Sequence, residues 1–292
     1  MELFFNYLRY EKHYSAHTLL AYQNDLAQFA AHLKAQFGHE DLNQADHTLI
    51  RSWMVALVQQ GLDPRTIHRK LASLRSYFKF ELKHGRILHN PAALVVAPKT
   101  KKRLPAFIPE ESLTRLLDSL DFEDNFSGWR DKLILEFLYG TGVRVAELAG
   151  LQHSALSAAE QVVRVTGKGN KERIVPVNTS LLRCISQYIA AKEAEFPENK
   201  SSYLIVTNKL EPVYPKLIYR TVTKYMRQIT SSKHTNPHVL RHSFATHLLN
   251  KGADLNAIKE LLGHTSLAAT QVYTHNSIEK LKEAFEKAHP RA

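Results

Sequence analysis

Residues 90–105, NPAALVVAPKTKKRLP, make a poor helix and a plausible linker. Pro91, Pro98 and Pro105 lack backbone donors, and Lys99, Lys101, Lys102 and Arg103 crowd like charges together. The stretch splits the 292 residues into two parts, each of a size that a domain usually takes. The expected organisation is a helical domain over 1–98, a linker over 99–105 and a second domain over 106–292.

The first part reads as four helices. Leu19, Tyr22, Leu26, Phe29 and Leu33 recur at spacings of 3, 4, 3 and 4, an amphipathic stripe, with Ser15 placed to cap it. Leu49, Ile50, Trp53, Met54 and Leu57 mark a shorter helix with Asp46 near its start. Asp63-Pro64 opens the next, a cap followed by a first-turn proline. Its stripe is Ile67, Leu71, Leu74 and Phe78, and Gly85 ends it. Arg65, Arg69, Arg75 and Lys79 lie off that stripe, interleaved with His68 and Tyr77. They form either a solvated face or a helix laid along DNA with its cations on phosphates.

Charge bears on that choice. Lys plus Arg is 39 and Asp plus Glu is 28, a net of +11, and an excess of this size draws polyanions. Residues 1–104 hold 15 basic and 8 acidic side chains, so the smaller part is the more basic per residue. No apolar run approaches the ~20 residues of a membrane span. The start, MELFFNYLRYEKHY, lacks the basic-then-apolar order of a secretion signal, so no membrane partner is expected and the cytoplasm is the default. Cys184 stands alone, which excludes an intramolecular disulfide and a cysteine-built zinc site.

The second part is mixed. Helices are expected over 110–120, 129–139, 179–195, 215–229, 237–251, 255–262 and 277–288. Residues 161–166 and 171–177 are β-rich and flank Gly167-Lys168-Gly169-Asn170, a hairpin signal. The fold class is therefore mainly α in two domains: a four-helix N-terminal domain, then a mixed α/β domain with a small antiparallel sheet.

Four segments of the second part could carry chemistry. In GTGVRVAEL, 140–148, a helix is expected to end at Gly140 and Arg144 to open the next. Glu147 follows three residues on, placed to hold the guanidinium, either as a structural pair or beside an anion site. In TGKGNKER, 166–173, Lys168 sits at the hairpin tip between two glycines that could let the turn approach a backbone. In NPHVLRHSFATHLL, 236–249, Leu240, Phe244 and Leu248 share one helix face. His238, Arg241 and His242 share the opposite one, so His238 and Arg241 can reach a single anion. His238 and His242 also have the spacing of a zinc pair, but the glutamate of HExxH is missing and no third ligand follows. His247 borders the apolar face and reads as packed. In LLGHTSLAATQVYTH, 261–275, Gly263 caps a helix, His264 follows in the turn, and Tyr273 comes nine residues later.

Two arginines, two histidines, a lysine and a tyrosine, without the carboxylate clusters of Mg²⁺ enzymes, suit phosphoryl transfer in which guanidinium groups take a metal's electrostatic role. The set Arg144, Lys168, His238-x-x-Arg241, His264 and Tyr273 resembles the active site of the tyrosine recombinase (phage integrase) family. TGVRVAEL, TGKGNKER, HVLRHSFATHLL and LLGHTSLAATQVYTH resemble its Xer branch. The resemblance covers nearly the whole chain, with no departure at the six positions and no additional arm-binding domain of the phage-integrase kind.

It implies a site-specific recombinase that cuts and rejoins duplex DNA through a covalent 3′-phosphotyrosyl link, resolving chromosome dimers at a Xer-type site. Tyr273 would be the nucleophile, Arg144, Lys168, His238, Arg241 and His264 the other catalytic groups, and Glu147 a support. Arg65, Arg69, Arg75, Lys79, Lys101, Lys102 and Arg103 would contact DNA. No metal and no cofactor is implied. The partners implied are duplex DNA and further copies or a paralogue in a tetramer on two sites, and a DNA translocase as activator is compatible with the family. The alternatives are an integrase or transposase of a mobile element with the same chemistry, or a type IB topoisomerase. The resemblance also implies that the stripe Ile278, Leu281, Phe285 and Ala288 docks on a neighbouring protomer, whereas spacing alone favours packing on its own domain.

Overall fold

The computed structural model describes residues 1–99, 107–119, 122–167, 170–230, 235–263, 275–289 and 291. The chain divides into two compact units, Met1–Arg103 and Leu104–Ala292. No helix among the described residues is long and apolar enough to cross a membrane.

The first unit is built from α1 (Glu2–Asn6, continued by a π-helical turn over Tyr7–Glu11), α2 (Ala16–Phe37), α3 (His47–Gln59) and α4 (Pro64–Lys83). Each start has its local cause. Ser15 Oγ accepts the Thr18 N–H, Asp46 accepts from Thr48 and Leu49, and Asp63 accepts from Arg65 ahead of Pro64. Leu26, Phe29, Leu33, Trp53, Leu71, Leu74 and Phe78 meet in one core with Phe4 and Leu8. Tyr77 departs from its expected place on the basic face. It is buried, packs edge-on against Phe4 and donates its hydroxyl to Asn43 Oδ1 at 3.0 Å.

The second unit holds α5 (Glu110–Ser119), α6 (Phe126–Thr141), α7 (Val145–Ala149), β1 (Leu156–Ser157), β2 (Val162–Thr166), β3 (Glu172–Pro176), α8 (Thr179–Glu195), α9 (Pro215–Ile229), α10 (Pro237–Asn250), α11 (Leu255–Leu262) and α12 (His275–Ala288). Helix α6 is buried on nearly every side, the mark of a central helix, and lies against α8, α9 and α10. Its end differs from expectation. The helix runs through Gly140 to Thr141, and Gly142 caps it at φ +62, in the left-handed region that favours glycine. A Cβ on Gly142 would stand 2.5 Å from the Phe244 ring, so packing closes the position as firmly as the dihedral does.

The sheet is antiparallel in the order β1-β2-β3, with Val163 opposite Val175 and Thr166 opposite Glu172. Sequence pattern gave no sign of β1, whose two residues pair with Val162 and Val163. Cys184 is buried on α8.

The C-terminal helix lies on its own unit in the single chain, the packing that spacing alone favours. Leu281, Phe285 and Ala288 belong to the core of their own unit, on α10, α11 and β3. His289 stacks on Phe285 at 4.5 Å, and Arg291 pairs with Asp118 at 2.7 Å and Glu136 at 2.9 Å. The stripe thus has an apolar seat on its own unit, and Arg291, just beyond the helix, has two carboxylates there. The side chain of Ile278 lies outside the described residues.

Candidate active site

Three chain segments bring cations to one place, the third being β3 with Arg173. Arg144 ends the turn after the Gly142 cap and directly precedes α7. Arg241 lies one turn into α10, whose Asn236 cap accepts the His238 N–H at 3.0 Å. Leu240, Phe244 and Leu248 bury the opposite face of α10 and hold Arg241 outward.

Both guanidinium groups are anchored on backbone carbonyls. Arg241 donates to Gly142 and, at 2.6 Å, to Leu262. Arg144 donates to Gly263 at 3.1 Å. The carbonyls of consecutive residues at the end of α11 thus receive the two arginines. Carbonyl acceptors carry no net charge, so these contacts neutralise neither cation. Burial pushes the Arg241 guanidinium down to about 10, and Arg144 and Arg173 push the same way against Glu147. Cations crowded this closely favour an anion.

Glu147 is the carboxylate within this group. It accepts the Arg144 backbone N–H at 2.7 Å, Arg144 Nη1 at 2.9 Å, and Arg173 Nη1 and Nη2 at 2.8 Å each. Burial alone would raise its carboxyl. The hydrogen bonds from Arg173 and from the Arg144 backbone outweigh that and bring it down to about 2.

His238 is exposed on the same helix as Arg241, its ring edge-on to Tyr219 with centroids 6.4 Å apart. Its zinc-spaced neighbour His242 is half-buried, and no group of three metal-ligating side chains occurs among the described residues. Lys168, His264 and Tyr273 lie outside the described residues, as do Lys101, Lys102 and Arg103. Their flanks are described: β2 and β3 lead to Lys168, Gly263 precedes His264, and α12 starts two residues after Tyr273.

The basic face of α4 is less free than its spacing suggests. Arg65 and Lys79 are exposed. Arg69 is held by buried Asp25, which also takes Lys70 at 3.0 Å and the Ser73 hydroxyl at 2.7 Å. Arg75 donates to the carbonyls of Ala92 and Val95 at 3.1 and 2.7 Å, clasping the segment after α4. His68 is hydrogen-bonded to the Pro98 carbonyl at 2.8 Å.

Two features escaped sequence reasoning. Arg173 is one. The other is a groove on α9 lined by Lys216, Tyr219, Arg220, Thr223, Lys224 and Arg227. Lys216, Arg220, Thr223 and Arg227, spaced 4, 3 and 4, carry a helical periodicity that was legible.

Comparison with known proteins places the chain. Residues 106–280 match the model of the phage integrase family, and residues 1–85 match the phage integrase N-terminal SAM-like domain. A tyrosine recombinase XerC of Chlorobaculum tepidum is 37% identical, covering 99% of this chain and 94% of that protein. A tyrosine recombinase XerC of Pelobacter propionicus is 40% identical, covering 98% and 93%. Among solved structures, XerH bound to palindromic difH substrate in a post-cleavage complex superposes with a TM-score of 0.73 at 23% identity, over 91% of this chain and 78% of that one. That last likeness is one of fold.

Proposed function

We infer that this chain, which belongs to the phage integrase family of tyrosine recombinases, is a cytoplasmic site-specific recombinase that resolves chromosome dimers through a 3′-phosphotyrosyl intermediate. The observation that carries the reading is the charge of the anchored cluster. Arg144, Arg173 and Arg241 stand against Glu147 alone, leaving two positive charges in excess. A DNA phosphodiester brings one negative charge to such a site. The five-coordinate transition state, with the attacking phenolate oxygen added, gathers a second. A site with two surplus charges therefore binds the transition state better than the ground state, which is the condition for catalysis.

Tyr273 attacks phosphorus, its oxygen forms the new bond and the 5′-oxygen of the next nucleotide leaves. His238 can take the phenol proton, since a free phenol ionises near ~10 and needs a base at neutral pH. Lys168 gives a proton to the leaving oxygen, and His264 adds a further donor. The product is again a phosphate diester, so a 5′-hydroxyl from another strand reverses the step and no nucleotide cofactor is consumed. Exchange between two sites takes four protomers, further copies or a paralogue. The α9 groove, next to His238 through Tyr219, supplies cations for the flanking phosphates. The full-length similarity to proteins named XerC favours chromosomal sites over a mobile element.

The test is covalent trapping. A duplex nicked just beyond the scissile phosphate should accumulate a protein–DNA adduct with the natural chain and none with Tyr273→Phe, which should still bind. An adduct with Tyr273→Phe, or none with the natural chain, overturns the reading.

A further inference from the structure

Arg173 enters the charge count above but has no role of its own in the steps, yet it is among the most constrained side chains near the site. It lies on β3, 5% exposed, and uses three of its N–H groups at once. Nη1 and Nη2 take the two oxygens of Glu147 at 2.8 Å each, and Nε takes the Leu261 carbonyl at 2.8 Å. Its side chain fills the space beside the left-handed turn at Gly263, where an added Cβ would sit 3.2 Å from it. One residue thus joins the hairpin strand after Lys168, the carboxylate that holds Arg144, and the end of α11 that receives both Arg144 and Arg241.

We propose that Arg173 is a positioning residue for the reaction, acting through Glu147 to leave the charge of Arg144 in surplus and aimed at the scissile phosphate. This rests on the recombinase reading above. Glu147 is buried and needs a full positive partner. With Arg173 in place, the fork-to-fork pair meets that need, and the one negative charge of Glu147 is shared between two guanidinium groups, Arg144 Nη1 also lying 2.9 Å from Oε1. Without Arg173, Arg144 becomes the sole counter-ion of Glu147. The surplus of the cluster falls from two charges to one, and the Arg144 guanidinium turns from the DNA toward the carboxylate.

The experiment compares single-turnover adduct formation on two nicked duplexes, one with an ordinary scissile phosphate and one with a methylphosphonate there. The methyl group removes one negative charge from ground and transition states alike, so the second surplus cation is no longer needed. Full-length Arg173→Met and Arg144→Ala are assayed at saturating DNA. On phosphate, both should lose cleavage by roughly 100-fold, the scale of a misplaced catalytic group, with binding changed less than about threefold. On methylphosphonate, both deficits should shrink at least about tenfold. A deficit for Arg173→Met that is the same on both substrates overturns the proposal, because a merely structural residue has no reason to sense the charge of the substrate. Should Arg173→Met not fold, Arg173→Gln carries the test. Glutamine can still donate to Glu147 but brings no charge. Its deficit must show the same substrate dependence, and no deficit, or equal deficits, overturns the proposal. A natural chain that forms no adduct on phosphate defeats the recombinase reading instead, and the two failures are told apart by that control.

Discussion

The Nε2 of His247 and the carbonyl of Ile108 are 2.9 Å apart, and that contact fixes a tautomer. A carbonyl only accepts, so Nε2 carries the proton and Nδ1 accepts the Tyr139 hydroxyl, also at 2.9 Å. The Ile108 N–H donates to Ser243 Oγ at 2.9 Å, so both backbone groups of one residue are stapled to α10.

This staple makes stability depend on acid. Burial lowers His247 below the ordinary imidazole value, against the pull of the Ile108 carbonyl, and burial takes His289 down to about 3. Unfolded, both protonate near ~6.5. Their neutral burial therefore contributes fully above that pH and is lost progressively as pH falls toward 3. The urea midpoint of the second unit should drop between pH 7 and pH 4, and His289→Gln should flatten the drop. A flat profile in the natural protein would show that neither ring is held neutral.

Arg144→Ala and Arg241→Ala should each slow cleavage by two to three orders of magnitude while binding changes little, since removing one transition-state donor costs ~3–4 kcal/mol. Equal losses in binding and cleavage, read by gel shift beside adduct formation, would make them simple phosphate clamps.

Lys168→Ala should cleave poorly on ordinary DNA and regain rate on a substrate with sulfur at the 5′-bridging position, because a thiolate leaves without a proton. Rates that stay low on the sulfur substrate would remove the general-acid role.

On α4, Arg65 and Lys79 should behave differently from Arg75. Replacing the first two should lower the log–log salt slope of binding by ~0.9 per lost phosphate contact. Arg75→Ala should instead destabilise the first unit, because it strands the carbonyls of Ala92 and Val95. Salt titrations and thermal melts of the same variants separate the two effects.

Phe285→Ala should cost ~3–5 kcal/mol of stability, the usual toll of a fully buried ring, and deleting 277–292 should unfold the second unit. A truncated chain that melts at the natural temperature would mean that the stripe is seated elsewhere in solution.

Much of this was legible in the sequence, for a local reason. The starts at Ser15, Asp46 and Asp63-Pro64 were readable because a cap and the N–H that donates to it sit within three residues of each other. The hairpin was readable for the same reason. What stayed hidden depends on partners far along the chain. Gly140 and Gly142 look alike as helix stops until Phe244 closes one of them from α10. Arg173 meets Glu147 26 residues earlier and Leu261 88 residues later, so no spacing rule marks it. Arg75 bonds only to carbonyls, which leave no side-chain signature. Tyr77 is buried by Phe4, from a helix at the other end of the unit. β1 has two residues, too few to show a period. The tail stripe was legible as a stripe that packs on its own domain, but not the elements that seat it, α10, α11 and β3, because spacing records that a face is apolar and does not name its partners.

The burial of Cys184 has a practical consequence for watching this protein work. Its thiol is 3% exposed, and burial first, with Glu136 nearby, pushes it up to about 12. The reactive thiolate is therefore scarce at neutral pH and out of reach of a bulky maleimide. The natural chain is in effect already a blank background for thiol labelling. A cysteine placed on the exposed face of α9 and another on α4 would be the two sites that a dye pair finds, and distance changes during DNA cleavage could be followed without first stripping the protein of a residue from its core.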